Sequence, residues 1–270
     1  MVEKGDGLMR GWLPVLLLSV SLPAFGQSVA LPTGQSQFTI TQNGKTVGHT
    51  ESNIERLSNG YSIESHGEMG VGNFHYSFTS QNRLDPMLNV VQDRITGTVN
   101  GKEASFDVNT SSDGRQFLIR AQGGGKNESN TLTRHQNLVV VPDFDAAAYV
   151  EMVHFAMAQP QYSWVLLPKG NGILVPCGYV NKPEVQGRLY GRPETIRHTT
   201  VIISAQNAVS IELYYTTDGT LMEADLPQEN FFVVRNGFEL VNRPASTAPH
   251  VGTAQPQQGG QPQQGGQPQQ

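Results

Sequence analysis

The sequence predicts a mainly β protein, built as a single domain of antiparallel hairpins that form a strongly curved sheet or open barrel with one packed helix. Three observations predict this fold class. Asn-Gly and Asp-Gly pairs recur along the chain, and six of them predict hairpin turns, most with flanking segments that alternate apolar and polar residues. One segment, residues 143–158, is rich in helix formers instead. The domain is expected to span residues 31–243.

The Asx-Gly pairs predict the turns of the hairpins. A type I′ turn needs positive φ at both central residues, which Asn and Asp tolerate and Gly adopts without strain. Alternating side chains flank Asn43-Gly44 at residues 38–41 and 45–47, and they flank Asp218-Gly219 at residues 211–216 and 220–224. Repeated hairpins of this kind predict an antiparallel meander. The six pairs are Asn43-Gly44, Asn59-Gly60, Asn100-Gly101, Asp113-Gly114, Asp218-Gly219 and Asn236-Gly237.

One helix is predicted over residues 143–158. Asp143 is expected to cap its start, and Asp145 is expected to interact with the positive end of the helix dipole. Pro160 ends the helix, because proline cannot continue one. The helix is expected to plug or cover the curved sheet with one apolar face, whose residues at helical spacing are Val150, Val153 and Met157.

The helix divides the β region into two halves, residues 37–141 and 162–241, which are expected to close on one core. Beyond them, residues 245–270 are rich in Gln, Pro and Gly and contain a short repeat. Such a segment buries too little apolar surface to offset its chain entropy, so we expect a disordered tail. The tail would serve as a flexible tether or as a docking segment for an envelope partner.

Residues 1–26 have the layout of a secretory signal peptide. A basic residue precedes an apolar run at residues 11–22, and residues 24–26 offer small side chains at both key positions of a cleavage site. Cleavage is expected between Gly26 and Gln27, which predicts export to the periplasm or the extracellular space. The run is too short to span a bilayer, so the processed protein is not expected to be membrane-spanning.

The first eight residues fit this layout poorly. Two acidic residues offset Lys4 and Arg10, so the segment before the apolar run carries no net charge. A start at Met9 leaves that segment positive, as signal peptides require. We therefore expect translation to begin at Met9 rather than at Met1.

The charge balance excludes nucleic acid as a partner. The chain has 18 Lys and Arg residues against 23 Asp and Glu residues, a formal net charge of −5, and no polybasic cluster. Binding to nucleic acid needs a basic face that neutralises phosphates. The one cysteine, Cys177, lies in an apolar run and cannot form an internal disulfide. It is expected to pack as a small hydrophobic residue, since no base that would activate it is near in sequence.

Two groups of side chains share a strand face by period-two alternation. Glu64, His66 and Glu68 form the first group, and His75 follows seven residues later. A carboxylate–imidazole trio could hold a divalent ion, but a solvated outer face is the simpler interpretation. The second group has ordinary core patterning, although aromatic rows also line apolar clefts. Its members are Phe74, Tyr76 and Phe78.

No spacing typical of an enzyme occurs in the sequence. There is no Gly-x-Ser-x-Gly nucleophile turn and no His-Glu-x-x-His zinc helix. Residues 123–126, Gly-Gly-Gly-Lys, lack the Ser or Thr of a phosphate loop, and His154 has no partner at i+4. Asp218-Gly219 lacks the intervening Ser or Thr of an aspartic protease. We therefore predict no catalytic residue, no cofactor-binding residue and no metal ligand.

Two hairpins carry a family resemblance. Residues 212–224, with their Asp218-Gly219 turn and Leu-rich return strand, resemble the closing hairpin of an uncharacterised family of exported bacterial β-rich proteins. Residues 38–48 are similar to that family's first hairpin, where a Gly follows the apolar residue. The resemblance covers the two ends of the folded region. It implies a curved antiparallel sheet, and it implies no activity and no functional residue.

These observations favour an exported, non-enzymatic cell-envelope protein. It would bind or carry an apolar small molecule, a lipid or a partner in the concave face of its curved sheet. The alternative is an envelope assembly or interaction protein that acts through its flexible tail or a sheet edge. A hydrolase is the third hypothesis, and it requires the fold to gather an acid, a base and a nucleophile from Cys177, His154 and the Glu64, His66 and Glu68 face.

Overall fold

The hairpin segments form one large sheet with one helix. The computed structural model describes residues 30–205 and 208–244, so the cleavage site at Gly26 and Gln27 and the tail at 245–270 lie outside the described residues. The helix is α1 (Ala146–Ala158). The strands are β1 (Gly34–Gln42), β2 (Lys45–Leu57), β3 (Gly60–Val71), β4 (Phe74–Leu84), β5 (Val90–Val99), β6 (Lys102–Thr110), β7 (Gln116–Gly123), β8 (Lys126–Thr133), β9 (Leu138–Val140), β10 (Ser163–Leu167), β11 (Ile173–Leu189), β12 (Arg192–Ile203), β13 (Val209–Tyr215), β14 (Leu221–Leu226), β15 (Phe231–Arg235) and β16 (Phe238–Val241).

The predicted fold class is confirmed. The strand order is β8-β7-β6-β5-β4-β3-β2-β1-β15-β14-β13-β12-β11-β10-β9, with β16 paired to β11. Neighbours pair antiparallel except β9 and β10, which are parallel. The sheet is curled, since the turn between β10 and β11, near one end of the strand order, lies beside β8 at the opposite end. There the Asn130 side chain of β8 donates to the Asn171 carbonyl at 3.2 Å. Within the described residues β8 and β9 do not pair, so the sheet stays open.

Between residues 30 and 244, as far as the structure describes them, four tight turns have positive φ at two successive central residues. The type I′ prediction is confirmed at Asn43-Gly44 and Asn100-Gly101. At the other Asx-Gly pairs only the glycine has positive φ, so the prediction is wrong there. Between β2 and β3, for example, Leu57 pairs with Gly60, which places Gly60 after the turn. Two turns that the rule did not single out complete the set, Gly124-Gly125 and Tyr190-Gly191.

The helix starts later than predicted, and its cap is a different residue. Asp145 is the N-cap, and its carboxylate accepts a hydrogen bond from the Ala147 N–H at 2.9 Å. Asp143 cannot be the cap, because Phe144 has a φ of 63° and breaks the helical path between them. The helix ends at Gln159 before Pro160, as predicted. No described helix is long and apolar enough to cross a membrane.

The helix is enclosed by the concave face rather than laid on it. Ten of its thirteen residues are buried, including Glu151, so contact is not confined to the predicted apolar face. Val150 and Val153 are buried, whereas Met157 is only half-buried. The main core cluster combines α1 with inward side chains from both halves of the sheet, from Phe38 on β1 to Val233 on β15.

A second, smaller apolar cluster lies on the outer face. On β13 the side chains alternate, so that Leu213 enters the main core and Tyr214 the smaller cluster. Strand β11 has a register shift between Lys182 and Val185, and beyond it β11 pairs with β16. Phe238 of β16 thereby packs in the cluster, whose buried members are Ile196, Tyr214, Met222 and Phe238.

Candidate functional site

A cleft of about 350 Å³ opens on the concave face, between strands β4 to β8 and the turn that joins β10 to β11. We call it the concave cleft. Its volume falls in the range of small-molecule sites, roughly 300–1,000 Å³. Apolar side chains dominate its lining, with two charged residues among them. The lining includes Tyr76, Phe78, Ile95, Val99, Ala104, Phe106, Ala121, Gly123, Lys126, Glu128, Pro168 and Gly170.

The cleft exists because one cross-strand row of the sheet has almost no side chains. Strand pairing places Gly97, Ala104 and Gly123 opposite one another on β5, β6 and β7. The rows on either side carry larger residues, with Val99 on one side and Phe106 on the other. Side chains two residues apart on a strand point to the same face. A row of small residues between rows of large ones therefore leaves a trough in the concave face.

The aromatic wall of the cleft is held in place by close packing. The rings of Tyr76 and Phe78 stack with centroids 5.7 Å apart. The Phe78 ring lies directly over Gly67 on β3, where a Cβ atom would come within 2.7 Å of the ring. Burial also raises the pKa of Tyr76, with Asp143 and Asp145 as further causes, so its phenol stays neutral. The wall is thus a fixed, uncharged surface.

The turn between β10 and β11 forms the opposite wall. Pro168 and Gly170 of this turn line the cleft. Gly172, with a φ of 94°, packs so closely that an added Cβ would lie 2.9 Å from Ile119 Cδ1 and 3.3 Å from the Phe106 ring. The turn therefore rests on β6 and β7 and closes one side of the cleft.

The charged residues of the cleft lie at its β8 rim. Lys126 pairs with Gly123, and Glu128 pairs with Ala121. Both side chains are exposed. The cleft therefore has an apolar interior and a polar rim, an arrangement that suits a ligand with an apolar body.

A buried polar layer lies beside the cleft and beneath the helix. It consists of Ser80, Asn82, Asp93, Asp145 and Glu151, all of them buried. The Asn82 side-chain amide donates to Glu151 Oε1 at 2.9 Å, and the Ser80 hydroxyl donates to Asp93 Oδ1 at 3.1 Å. The layer therefore connects α1 to strands β4 and β5 by polar contacts inside the core.

The carboxyl groups of this layer hold protons more tightly than usual. Burial raises the pKa of Asp93 to about 8, and the nearby Asp145 adds to the rise. Burial likewise raises the pKa of Asp145 to about 6. The pKa of Glu151 is well above its ordinary value, because burial and the neighbouring Asp93 and Asp145 all oppose its ionisation. At neutral pH Asp93 and Glu151 are therefore mostly protonated, whereas Asp145, whose pKa is about 6, is mostly ionised as the N-cap of α1.

The candidate metal ligands lie on the solvent-exposed side of β3. Glu64, His66 and Glu68 are all exposed, and His66 Nε2 lies 2.9 Å from Glu51 Oε1 of the neighbouring strand. His75 on β4 pairs with Gly70 and is also exposed. Within the described ranges no group of three or more His, Cys, Asp or Glu residues has the geometry to hold a metal ion.

The other candidate residues lie on a strand, on the helix or in a hairpin turn. Cys177 on β11 is half-buried beside the Tyr179 hydroxyl, and burial raises the pKa of its thiol to about 11, so it is a poor nucleophile. His154 lies on α1 with its ring edge-on to Phe155. Gly124 and Gly125 form the hairpin turn between β7 and β8. Strands β3 and β11 are not neighbours in the sheet, so the residues named for a hydrolase lie on separate elements.

No family model, curated protein or solved structure matches the chain.

Proposed function

We propose that this chain is an exported protein that binds an apolar small molecule, or the apolar part of a lipid, in the concave cleft. The observation that carries the proposal is the row of Gly97, Ala104 and Gly123, which leaves an apolar trough inside an otherwise well-filled core. The trough opens to solvent, so its apolar lining is exposed to water until an apolar ligand covers it. Binding, rather than chemistry, suits a lining without paired nucleophile and base.

A fluorescent apolar probe tests this proposal. N-phenyl-1-naphthylamine is expected to bind the purified protein and to brighten as it leaves water. Ala121→Trp places a large ring in the cleft and should abolish the signal. Leu118→Trp is the matched control, because Leu118 is on the same strand but exposed on the outer face. Equal binding by wild type and Ala121→Trp, with no lipid in an organic extract of the purified protein, would overturn the proposal.

A second candidate function is assembly through the edge of β8. In the described part of the sheet β8 has one neighbouring strand, β7, so its other edge is not paired with a strand. The Asn130 side chain accepts from the Thr131 N–H at this edge, which leaves the segment before Asn130 as the part open to a partner. Such an edge can accept a strand from a partner. A photo-crosslinking residue in place of Ser129 should then give a discrete product in cells. The same residue at exposed Val91, in the middle of the sheet, should give none. The absence of a product from Ser129 would exclude this function.

A further inference from the structure

A second cavity, of about 340 Å³, lies on the outer face of the sheet across β12 to β15. We call it the outer pocket. It is on the opposite side of β13 from the core residue Leu213. Strand pairing places Thr200, Glu212, Asp225 and Phe232 in one row across these four strands, and the last three line the pocket.

The Glu212 carboxylate has one satisfied and one unsatisfied oxygen. Its Oε2 atom accepts two hydrogen bonds, from His198 Nε2 and from Thr200 Oγ1, both at 2.8 Å. Its Oε1 atom is buried and has no hydrogen-bond partner among the described residues. Burial opposes ionisation, but the hydrogen bonds from His198 and Thr200 prevail and lower the pKa of Glu212. A buried, ionised oxygen without a donor is costly, so Oε1 is a point at which a ligand donor gains affinity.

The pocket already accommodates one cation of the protein itself. The Arg243 guanidinium donates to Asp225 Oδ2 and to Glu223 Oε1. It also lies over the Phe232 ring, 4.5 Å from the ring centroid. Carboxylates and an aromatic face are the groups that attract organic cations. The chemistry of this face therefore suits positively charged nitrogen.

Glu212 is the acidic residue of the pocket that no Arg or Lys side chain pairs with among the described residues, its partner being His198. Arg243 pairs with Glu223 and Asp225, and burial beside Glu223 raises the pKa of Asp225 to about 9, so Asp225 does not add a full negative charge at neutral pH. The rest of the lining is largely apolar. Its apolar members are Pro183, Val185, Pro227, Phe232 and Pro244, beside the Tyr214 ring.

We propose that the outer pocket binds an organic amine with an apolar body. The protonated amino group donates to Glu212 Oε1 and to the adjacent Asp225 on β14, and the hydrocarbon part lies against the proline-lined wall. An ammonium group has three donors, so it can donate at once to Glu212 Oε1 and Asp225 Oδ1, the two buried carboxyl oxygens of the pocket that lack a hydrogen-bond partner among the described residues. A bare metal ion fits less well, because the described acidic residues do not cluster with metal-binding geometry. This site is separate from the concave cleft and does not depend on its function.

Calorimetric titration of the full chain with n-hexylammonium tests the proposal. Hexanol and hexanoate are the matched ligands, with the same body but a neutral or negative head. We expect the amine to bind at least about tenfold more tightly than either. Glu212→Gln should weaken amine binding by about tenfold or more, while Glu239→Gln, at an exposed position on β16, should leave it unchanged. Equal affinity for amine and alcohol overturns the proposal, and so does an unchanged affinity in Glu212→Gln.

A second variant covers the case in which Glu212→Gln does not fold. Val185→Trp fills the apolar wall from a half-buried position and leaves every carboxylate in place. It should abolish binding of hexylammonium while circular dichroism stays that of the wild type. Unchanged amine binding in this folded variant would place the amine elsewhere and refute the assignment.

Discussion

Asn82 on β4 and Glu151 on α1 are joined by a hydrogen bond of 2.9 Å in the middle of the core. The donor is the Asn82 amide, which can serve either protonation state of the carboxyl. Burial nevertheless raises the pKa of Glu151, and the two nearby carboxyl groups of Asp93 and Asp145 raise it further. The burial of Glu151 is therefore favourable chiefly while its carboxyl group is protonated, although the hydrogen bond from Asn82 by itself favours the ionised form.

The first prediction is a loss of stability as pH rises. A carboxyl group whose folded pKa is raised contributes stability that is complete below its unfolded pKa, about 4, and that is lost as pH rises through the folded pKa. The folded values are about 6 for Asp145 and about 8 for Asp93. The free energy of unfolding should therefore fall by several kcal/mol between pH 5 and pH 9.

Glu151→Gln tests the cause of this loss. The glutamine carbonyl still accepts from Asn82, but it cannot ionise. Urea unfolding should show the variant more stable than wild type at pH 8, and the difference should vanish near pH 4. The exposed Glu64→Gln is the control, with no change at either pH. Identical pH profiles for Glu151→Gln and wild type would contradict the role given to the buried carboxyl.

The N-cap gives a prediction that separates hydrogen bonding from charge. Asp145→Asn keeps an oxygen for the Ala147 N–H and removes the buried carboxyl, so it should be more stable than wild type at pH 8. Asp145→Ala removes the cap and should cost about 1 kcal/mol at pH 5. Thermal unfolding at the two pH values measures both. If the two variants were equally stable at pH 5, the capping bond would contribute nothing.

The hairpin architecture could be predicted because it rests on local chemistry. Asn43-Gly44 and Asn100-Gly101 fix their own turns, and alternation of side chains then assigns the faces. The Asn100-Gly101 turn is sufficient to pair Val99 with Lys102, and this register also pairs Gly97 with Ala104. The position of Gly123, the third residue of the row of small residues, could not be predicted. It depends on the loop after β6, whose geometry the sequence does not determine. The cleft was therefore predicted only as a concave apolar face.

The polar layer and the outer pocket were missed for different reasons. Asp93 lies two residues before the core residue Ile95 on β5, so both side chains point to the same face. A charged residue facing the core could therefore have been predicted from the sequence. Glu151 was not singled out, because the sequence predicts contact along one apolar face of the helix, whereas the folded sheet buries ten of its thirteen residues. The outer pocket needs Arg243, near the end of the domain, brought against Glu223 and Asp225 of β14 and Phe232 of β15. That long-range arrangement has no local signature.

Gly67 provides a prediction about the aromatic wall. Gly67→Val should destabilise the protein by about 1–3 kcal/mol, because its Cβ would lie 2.7 Å from the Phe78 ring and 3.0 Å from Thr50 Cβ. The control is Gly178→Val on β11, where a Cβ meets nothing within 4 Å. Combining Gly67→Val with Phe78→Ala should cost less than the sum of the two changes in urea unfolding. Full additivity would show that the clash is not with Phe78.

The expected export makes a prediction about the N-terminus. If residues 1–26 are a signal peptide, Edman sequencing of protein from the periplasm or medium should begin at Gln27. Changing Gly26 to Trp should block processing, because signal peptidase requires a small residue there. Leu22→Val, inside the apolar run, should be processed normally. Recovery of the full-length chain from the cytosol would contradict export.

Gly172 provides a prediction about the turn between β10 and β11 and the binding proposed for the concave cleft. At a φ of 94°, and with Ile119 Cδ1 only 2.9 Å from an added Cβ, alanine is strained by the backbone and crowded by the core. Gly172→Ala should therefore lift the turn between β10 and β11 from β7, at a stability cost of about 1 kcal/mol or more. The matched control is Gly191→Ala in the turn between β11 and β12, where φ is 78° and no atom lies within 4 Å of the new Cβ. Gly172→Ala should weaken binding of N-phenyl-1-naphthylamine and speed its release, whereas Gly191→Ala, which does not line the cleft, should affect both far less. Equal affinities in the two variants would mean that the turn does not contribute to the binding surface.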